Sequence, residues 1–135
     1  MPFQTSQEAQ AAFYTAFVKR DVNAMMAVWA EDDGVACVHP LSALIVGRQA
    51  VRESWESIFR HSPEMQFMIN ESTQMVNDKL AVHIVEEHIR ASNAPPSAPV
   101  YATNVYRLTD HGWRMVLHHA SPASSPAKQE KQTLH

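Results

Sequence analysis

The stretch that most constrains this chain is Gly112-Trp113-Arg114-Met115-Val116-Leu117-His118-His119-Ala120-Ser121-Pro122, which follows the turn signal Asp110-His111-Gly112. Read as a strand, it puts Trp113, Met115, Leu117 and His119 on one face and Arg114, Val116, His118 and Ala120 on the other. Both faces carry apolar residues, the mark of a strand covered on both sides. The adjacent histidines, His118 and His119, then point in opposite directions and cannot share one small site unless a bulge intervenes. Each also reads as a hydrogen-bonded packing residue. The expected facing puts His119 inside; a one-residue change of phase would put His118 there instead.

Upstream, Thr5-Ser6-Gln7-Glu8 is a capping-box pattern. Ala9, Ala12, Phe13, Ala16 and Phe17 follow at helical spacing, with Tyr14 beside their stripe. Asp21 is a second cap, and Val22, Met25, Met26 and Trp29 make a second helix that Glu31-Asp32-Asp33-Gly34 should end. Val35 to His39 reads as a short strand stopped by Pro40, and Leu41 to Val46 as a loop with room for one more short strand. A third helix starts near Arg48, with Val51, Trp55, Ile58 and Phe59 inward and Arg48, Arg52, Glu53 and Glu56 on the solvated side; Ser62-Pro63 closes it. Three long strands then precede the last: Met65 to Val76, Leu80 to Arg90 across an Asn77-Asp78 turn, and Val100 to Thr109 after a proline-bearing loop from Ala91 to Pro99. Helices first and antiparallel strands later argue an α+β fold with the helices on one face of the sheet. Residues 1–122 form one domain in this reading, and 123–135, with little to bury, a disordered tail.

The 135 residues are enough for one sizeable core. A formal charge of −3 with scattered Lys and Arg argues against a nucleic-acid binder, which would show a basic stripe. A single cysteine, Cys37, excludes an internal disulfide and fits a cytoplasmic setting. No signal peptide or membrane-spanning stretch is legible, and no cofactor motif.

The residue types that could carry chemistry are dispersed. Glu87 shares a strand face with His83, Val85 and Ile89. A carboxyl among such neighbours either finds a partner, with Arg107 or Arg114 the structural candidates, or has its pKa raised and becomes a general acid or base. Asn104 sits among Ala102, Tyr106 and Leu108 and needs hydrogen-bond partners, from protein or ligand. His39, just before Pro40, falls where a loop could place it at a pocket mouth, and Cys37 shares its face. Trp29 and Trp55 are core residues that could also form pocket walls, and Tyr14 a boundary residue that could turn its hydroxyl inward. His83-Ile84-Val85-Glu86-Glu87-His88 has the residue types of a zinc motif without its helical spacing, so no metal is expected. Ser121 and Ser124 lack a Gly-x-Ser-x-Gly context.

Three segments carry a family resemblance. They are Val38-His39-Pro40 with Ile45-Val46-Gly47-Arg48 and Trp55; Ala102-Thr103-Asn104-Val105-Tyr106; and the final strand. Over about Ala9 to Pro122 the chain resembles the SnoaL-like group of the nuclear transport factor 2-like superfamily. The resemblance implies a cystatin-like cone, a curved antiparallel sheet wrapped round N-terminal helices with a pocket inside. Characterised members of the superfamily include ketosteroid isomerase, scytalone dehydratase and polyketide cyclases, and also transport factors and kinase association domains that do no chemistry. The isomerase's Tyr and Asp constellation has no matching positions here, and fold analogy alone selects no function.

Two functions therefore stand as expectations. One is a homodimeric small-molecule-binding pocket protein, with Trp29, Trp55, Asn104 and Tyr14 as binding residues. The other is a cofactor-independent isomerase, dehydratase or cyclase acting on a hydrophobic small molecule, with His119, Glu87 and His39 as acid and base. The dimer follows from the second apolar face of the sheet, to which Val116 and His118 are assigned. No nucleic acid or membrane partner is expected.

Overall fold

A computed structural model describes residues 2–92, 94 and 98–124. Three helices, α1 (Ser6–Lys19), α2 (Val22–Val28) and α3 (Arg48–His61), pack on one six-stranded sheet. Its strands are β1 (Ala36–Val38), β2 (Ile45–Val46), β3 (Met65–Val76), β4 (Leu80–Ala91), β5 (Val100–Thr109) and β6 (Gly112–Pro122). The strand order is β2-β1-β6-β5-β4-β3. All pairs are antiparallel except β1 with β6. The α+β cone is therefore observed. No described helix is long and apolar enough to cross a membrane. The expected disordered tail lies, from residue 125 onward, outside the described residues, as does part of the 91–99 loop.

The caps form as the sequence implies. Thr5 Oγ1 accepts from the Glu8 amide at 3.1 Å, and Glu8 reaches back to the amide of Gln4, one residue before the cap. Arg20 ends α1 in a left-handed conformation at φ 54°, and Asp21 Oδ1 then caps α2 through the Ala24 amide at 3.0 Å. Helix α2 is shorter than expected. It ends at Val28 because Trp29 turns extended and bridges to Met115 of β6. Arg48 also departs from its expected solvated side. Its guanidinium donates to the carbonyls of Met26, Trp29 and Ala30, each at 2.9 Å, and so closes the C-terminus of α2. Gly47, at φ 100°, lets the chain enter α3 at that point.

Two bulges set what faces the interior. In β3, Glu71 pairs with Val85 and Thr73 with Ile84, which leaves Ser72 as the extra residue. In β6, Tyr106 pairs with Met115 and Val105 with Leu117, leaving Val116 extra. Before that bulge Trp113 and Met115 are buried, as expected. After it the phase inverts, so that His118 and Ala120 are buried and His119 is exposed. The expected facing of Leu117 and His119 is thereby corrected, and so is the assignment of His118 to the outer face.

Candidate functional site

With the β6 phase shifted, the register aligns one polar row across the inner face. His83 pairs with Asn104, Asn104 with His118, and His118 with Cys37, crossing β4, β5, β6 and β1 in order. Helix α1 lays Ser6, Gln10 and Tyr14 over this row, one helical turn apart. The buried polar residues, Ser6, Gln10, His83, Glu87, Asn104 and His118, all belong to the resulting network.

The directions of the hydrogen bonds are mutually consistent. Asn104 Nδ2 donates to Tyr14 Oη at 3.0 Å and to Gln10 Oε1 at 3.1 Å. Asn104 Oδ1 is then the acceptor for His118 Nδ1 at 2.6 Å, which makes His118 the Nδ1–H tautomer with an acceptor at Nε2. Tyr14 Oη donates to Glu87 Oε2 at 2.6 Å. Tyr106 Oη donates to Gln10 Oε1 at 2.9 Å, and Gln10 Nε2 donates to Glu71 Oε1 at 2.8 Å. Glu71 in turn pairs closely with His83 Nδ1, and His83 Nε2 meets Ser6 Oγ at 2.9 Å.

Burial pushes the Glu87 carboxyl up to about 7, against which the Tyr14 hydrogen bond pulls only partly. Neither Arg107 nor Arg114 is its partner. Arg107 pairs instead with Asp32, holding that carboxyl below its usual range, and Arg114 donates to the Trp29 carbonyl. Burial, and then the neighbouring His39 and His119, push His118 down to about 3. Burial alone pushes His39 down to about 4. Both rings are therefore neutral at pH 7. Burial, with Glu87 adding to it, raises the Cys37 thiol to about 12, so that pairing with His39 does not produce a thiolate.

An aromatic wall closes the other side. Trp55 stands edge-on to Phe13, Phe17 and His39, with centroids 5.6, 4.9 and 4.7 Å away, and tilted to His118 at 5.9 Å. His39 Nε2 lies 3.0 Å from Ser54 Oγ, whose hydroxyl donates to the Val51 carbonyl; the ring therefore donates to the serine. The indole N–H groups of Trp29 and Trp55 are buried with no partner among the described residues.

Of the residues singled out in the sequence, Tyr14, Glu87 and Asn104 are brought into direct contact, and Trp55 and His39 flank His118. Trp29 lies in the core at the β6 bridge. His119 stands apart on the outer face, in the row formed with Thr103 and Ile84. Gln10, Glu71 and Ser6 went unnoticed. Gln10 had a legible signal, since its i, i+4 spacing to Tyr14 puts both on one face of α1. Glu71 had one as well, since it continues the inward alternation of Met65, Phe67 and Ile69 before the Ser72 bulge.

Comparison with known proteins places this geometry in a family. A family model described as a SnoaL-like domain matches residues 7–125. A solved structure from Thiobacillus denitrificans, provisionally assigned as a calcium/calmodulin-dependent protein kinase type II association domain, is 42% identical, with TM-score 0.88 over 92% of this chain and 99% of that one. A second, from Streptomyces avermitilis and provisionally assigned as a dehydratase of the NTF2-like family, is 31% identical, with TM-score 0.77 over 87% of this chain and 92% of that one. The F-box protein SKIP8 of Arabidopsis thaliana is 26% identical over 109 residues, 81% of this chain; the chain spans about half, 46%, of that protein's length. The match over most of its length, with the cone and its inner polar row, makes this chain a member of the SnoaL-like domain family.

Proposed function

We propose that the protein is a homodimer that binds a small, largely apolar molecule against the inner polar row, with Tyr14, Glu87, Asn104 and His118 as the polar contacts and Trp55 as the wall. The observation that carries this reading is the buried carboxyl of Glu87, whose partner among the described residues is one neutral hydroxyl, that of Tyr14. A cone that needed only filling would be served by an apolar residue there, since a buried carboxyl costs several kcal/mol unless it is neutralised or well paired, on the order of 2–7 for an uncompensated polar group. The unpartnered indole N–H groups of Trp29 and Trp55 add donors of the same kind. Native mass spectrometry of the purified protein should reveal a retained ligand, and thermal-shift screening of neutral apolar molecules should find binders that Glu87→Gln weakens about tenfold or more. A screen whose hits all bind Glu87→Gln equally well would overturn the site.

A second reading has its own support. A carboxyl at about 7 is poised for proton transfer at neutral pH, and a 31% identical relative is assigned as a dehydratase. In that reading Glu87 moves a proton on the bound molecule while Asn104 and Tyr14 hold its oxygen. Turnover of a bound molecule, lost in Glu87→Gln even at concentrations that saturate the variant, separates the enzyme from the binding protein.

The dimer rests on the outer face. Met75, Val82, Val105 and Leu117 form one cross-strand row there, and Met68 and Met75 are 62% and 61% exposed. Such an exposed apolar row, crossing four strands, is what a second subunit covers. The 42% identical relative's assignment as an association domain is in keeping with this. Sedimentation at micromolar concentration should give twice the chain mass and Val105→Asp the single mass; a wild-type monomer would sink the dimer.

A further inference from the structure

At the α1 end of the network three side chains stand in the order of a nucleophilic triad. Ser6 Oγ is 2.9 Å from His83 Nε2, and His83 Nδ1 pairs with the Glu71 carboxylate on its other side. Gln10 Nε2 holds the same Glu71 oxygen at 2.8 Å. We propose that Ser6, His83 and Glu71 form a second site, separate from the ligand reading above, in which Ser6 is acylated by small activated carboxylic esters. The roles follow from geometry, as such triads are recognised by arrangement and not by sequence position. Glu71 accepts from Nδ1–H and fixes the tautomer, so Nε2 is the base that faces the serine hydroxyl. Ser6 is the first residue of α1, where the amides of Ser6 and Gln7 have no acceptor within the helix and can serve a developing oxyanion. The competing acceptor for Ser6, Gln7 Oε1, is more distant at 3.4 Å.

The step balances without any further reagent. Ser6 Oγ bonds to the ester carbonyl carbon as its proton passes to His83 Nε2. The bond from that carbon to the leaving oxygen then breaks, and the same proton leaves with it. Water hydrolyses the acyl-serine by the reverse sequence, giving the carboxylic acid. Ser6 is 2% exposed and His83 fully buried, while the Glu71 side chain is 34% exposed. That burial limits the site to small acyl groups such as acetyl.

The test uses the full chain with p-nitrophenyl acetate and a small alkyl fluorophosphonate, read by intact mass and peptide mapping. One adduct per chain is expected, on Ser6. Ser6→Ala should lose it, and Glu71→Gln should slow it a hundredfold or more while the chain stays folded at the assay temperature. A wild-type chain that stays unmodified, an adduct mapped to another residue, or undiminished labelling of folded Ser6→Ala or Glu71→Gln would each overturn the proposal.

Discussion

Glu87 and Glu71 lie at opposite ends of one hydrogen-bond network, joined through Gln10, and differ in what surrounds them. Glu87 is 2% exposed and faces a phenol; Glu71 is one-third open to solvent and faces an imidazole and an amide. Burial raises the inner carboxyl's pKa, whereas the outer one meets solvent, an imidazole and an amide. One residue type thus supplies a titrating group at one end and an orienting group at the other, and burial decides which.

The largest effect that would break this contrast is at Glu87. Its folded pKa of about 7 lies above the ordinary 4.5, so the fold favours the protonated form. The stabilisation is full below pH 4.5 and is lost as pH rises through 7. At about 1.4 kcal/mol per unit, the loss by pH 8 is roughly 3 kcal/mol. Glu87→Gln should therefore stabilise the protein by about that amount at pH 8 and by little at pH 4.5, in urea denaturation. His118 and His39 act with the opposite sign. Held down at about 3 and about 4, they contribute stability above 6.5 that is lost as pH falls. Between pH 5 and 6 the unfolded chain gains two protons on these rings and the folded one holds a proton on Glu87. Wild-type stability should rise with pH over that window by about 1.4 kcal/mol per unit, and that of Glu87→Gln by about twice as much. Equal slopes would mean that Glu87 is ionised throughout.

What the sequence made legible divides along the same line. Helix caps, the succession of helices and strands, and the shared face of Glu87 with His83 and Val85 and of Asn104 with Ala102 and Tyr106 follow from local periodicity, which the structure keeps through β4 and β5. The facing of β6 beyond Met115 and of β3 beyond Glu71 does not, because each depends on one extra residue, Val116 or Ser72, that no local pattern marks. Uninterrupted alternation therefore points to His119, and the bulge substitutes His118. Arg48 is a different case. A charged residue at a helix start reads as solvated until the carbonyls of α2 arrive beside it from elsewhere in the chain.

The bulge can be tested by its two histidines, with a smaller effect. His118→Ala leaves Asn104 Oδ1 without its donor and opens space beside Phe13 and Trp55. A loss of about 2–3 kcal/mol is expected at pH 7. His119→Ala, on the exposed outer face, should stay within about 0.5 kcal/mol. The reverse ranking would restore the uninterrupted alternation and move the site to the other face of β6.

The smallest effect asks whether the two ends are one network or two sites sharing a wall. Gln10 is the link, since it accepts from Asn104 and Tyr106 with Oε1 and donates to Glu71 with Nε2. The amide cannot pass a proton along readily, but its orientation is fixed by both ends at once. If Glu71 becomes Gln, the acceptor that holds Gln10 Nε2 is weakened, Oε1 is less firmly placed, and the Asn104 amide that serves Tyr14 is freed to shift. Tyr14→Phe and Glu71→Gln should therefore be non-additive by about 0.5–1 kcal/mol in a double-mutant cycle, although their contacts lie at opposite ends. Repeating the cycle in a Gln10→Leu background should bring the coupling to zero, within about 0.3 kcal/mol. Coupling that survived Gln10→Leu would have to travel through the sheet itself, along the row from His83 to Asn104 to His118, and the strand register would then be the connecting element. Additivity in the wild-type background would make Glu87 and Glu71 independent, and acylation of Ser6 could then proceed without reference to what the inner site holds.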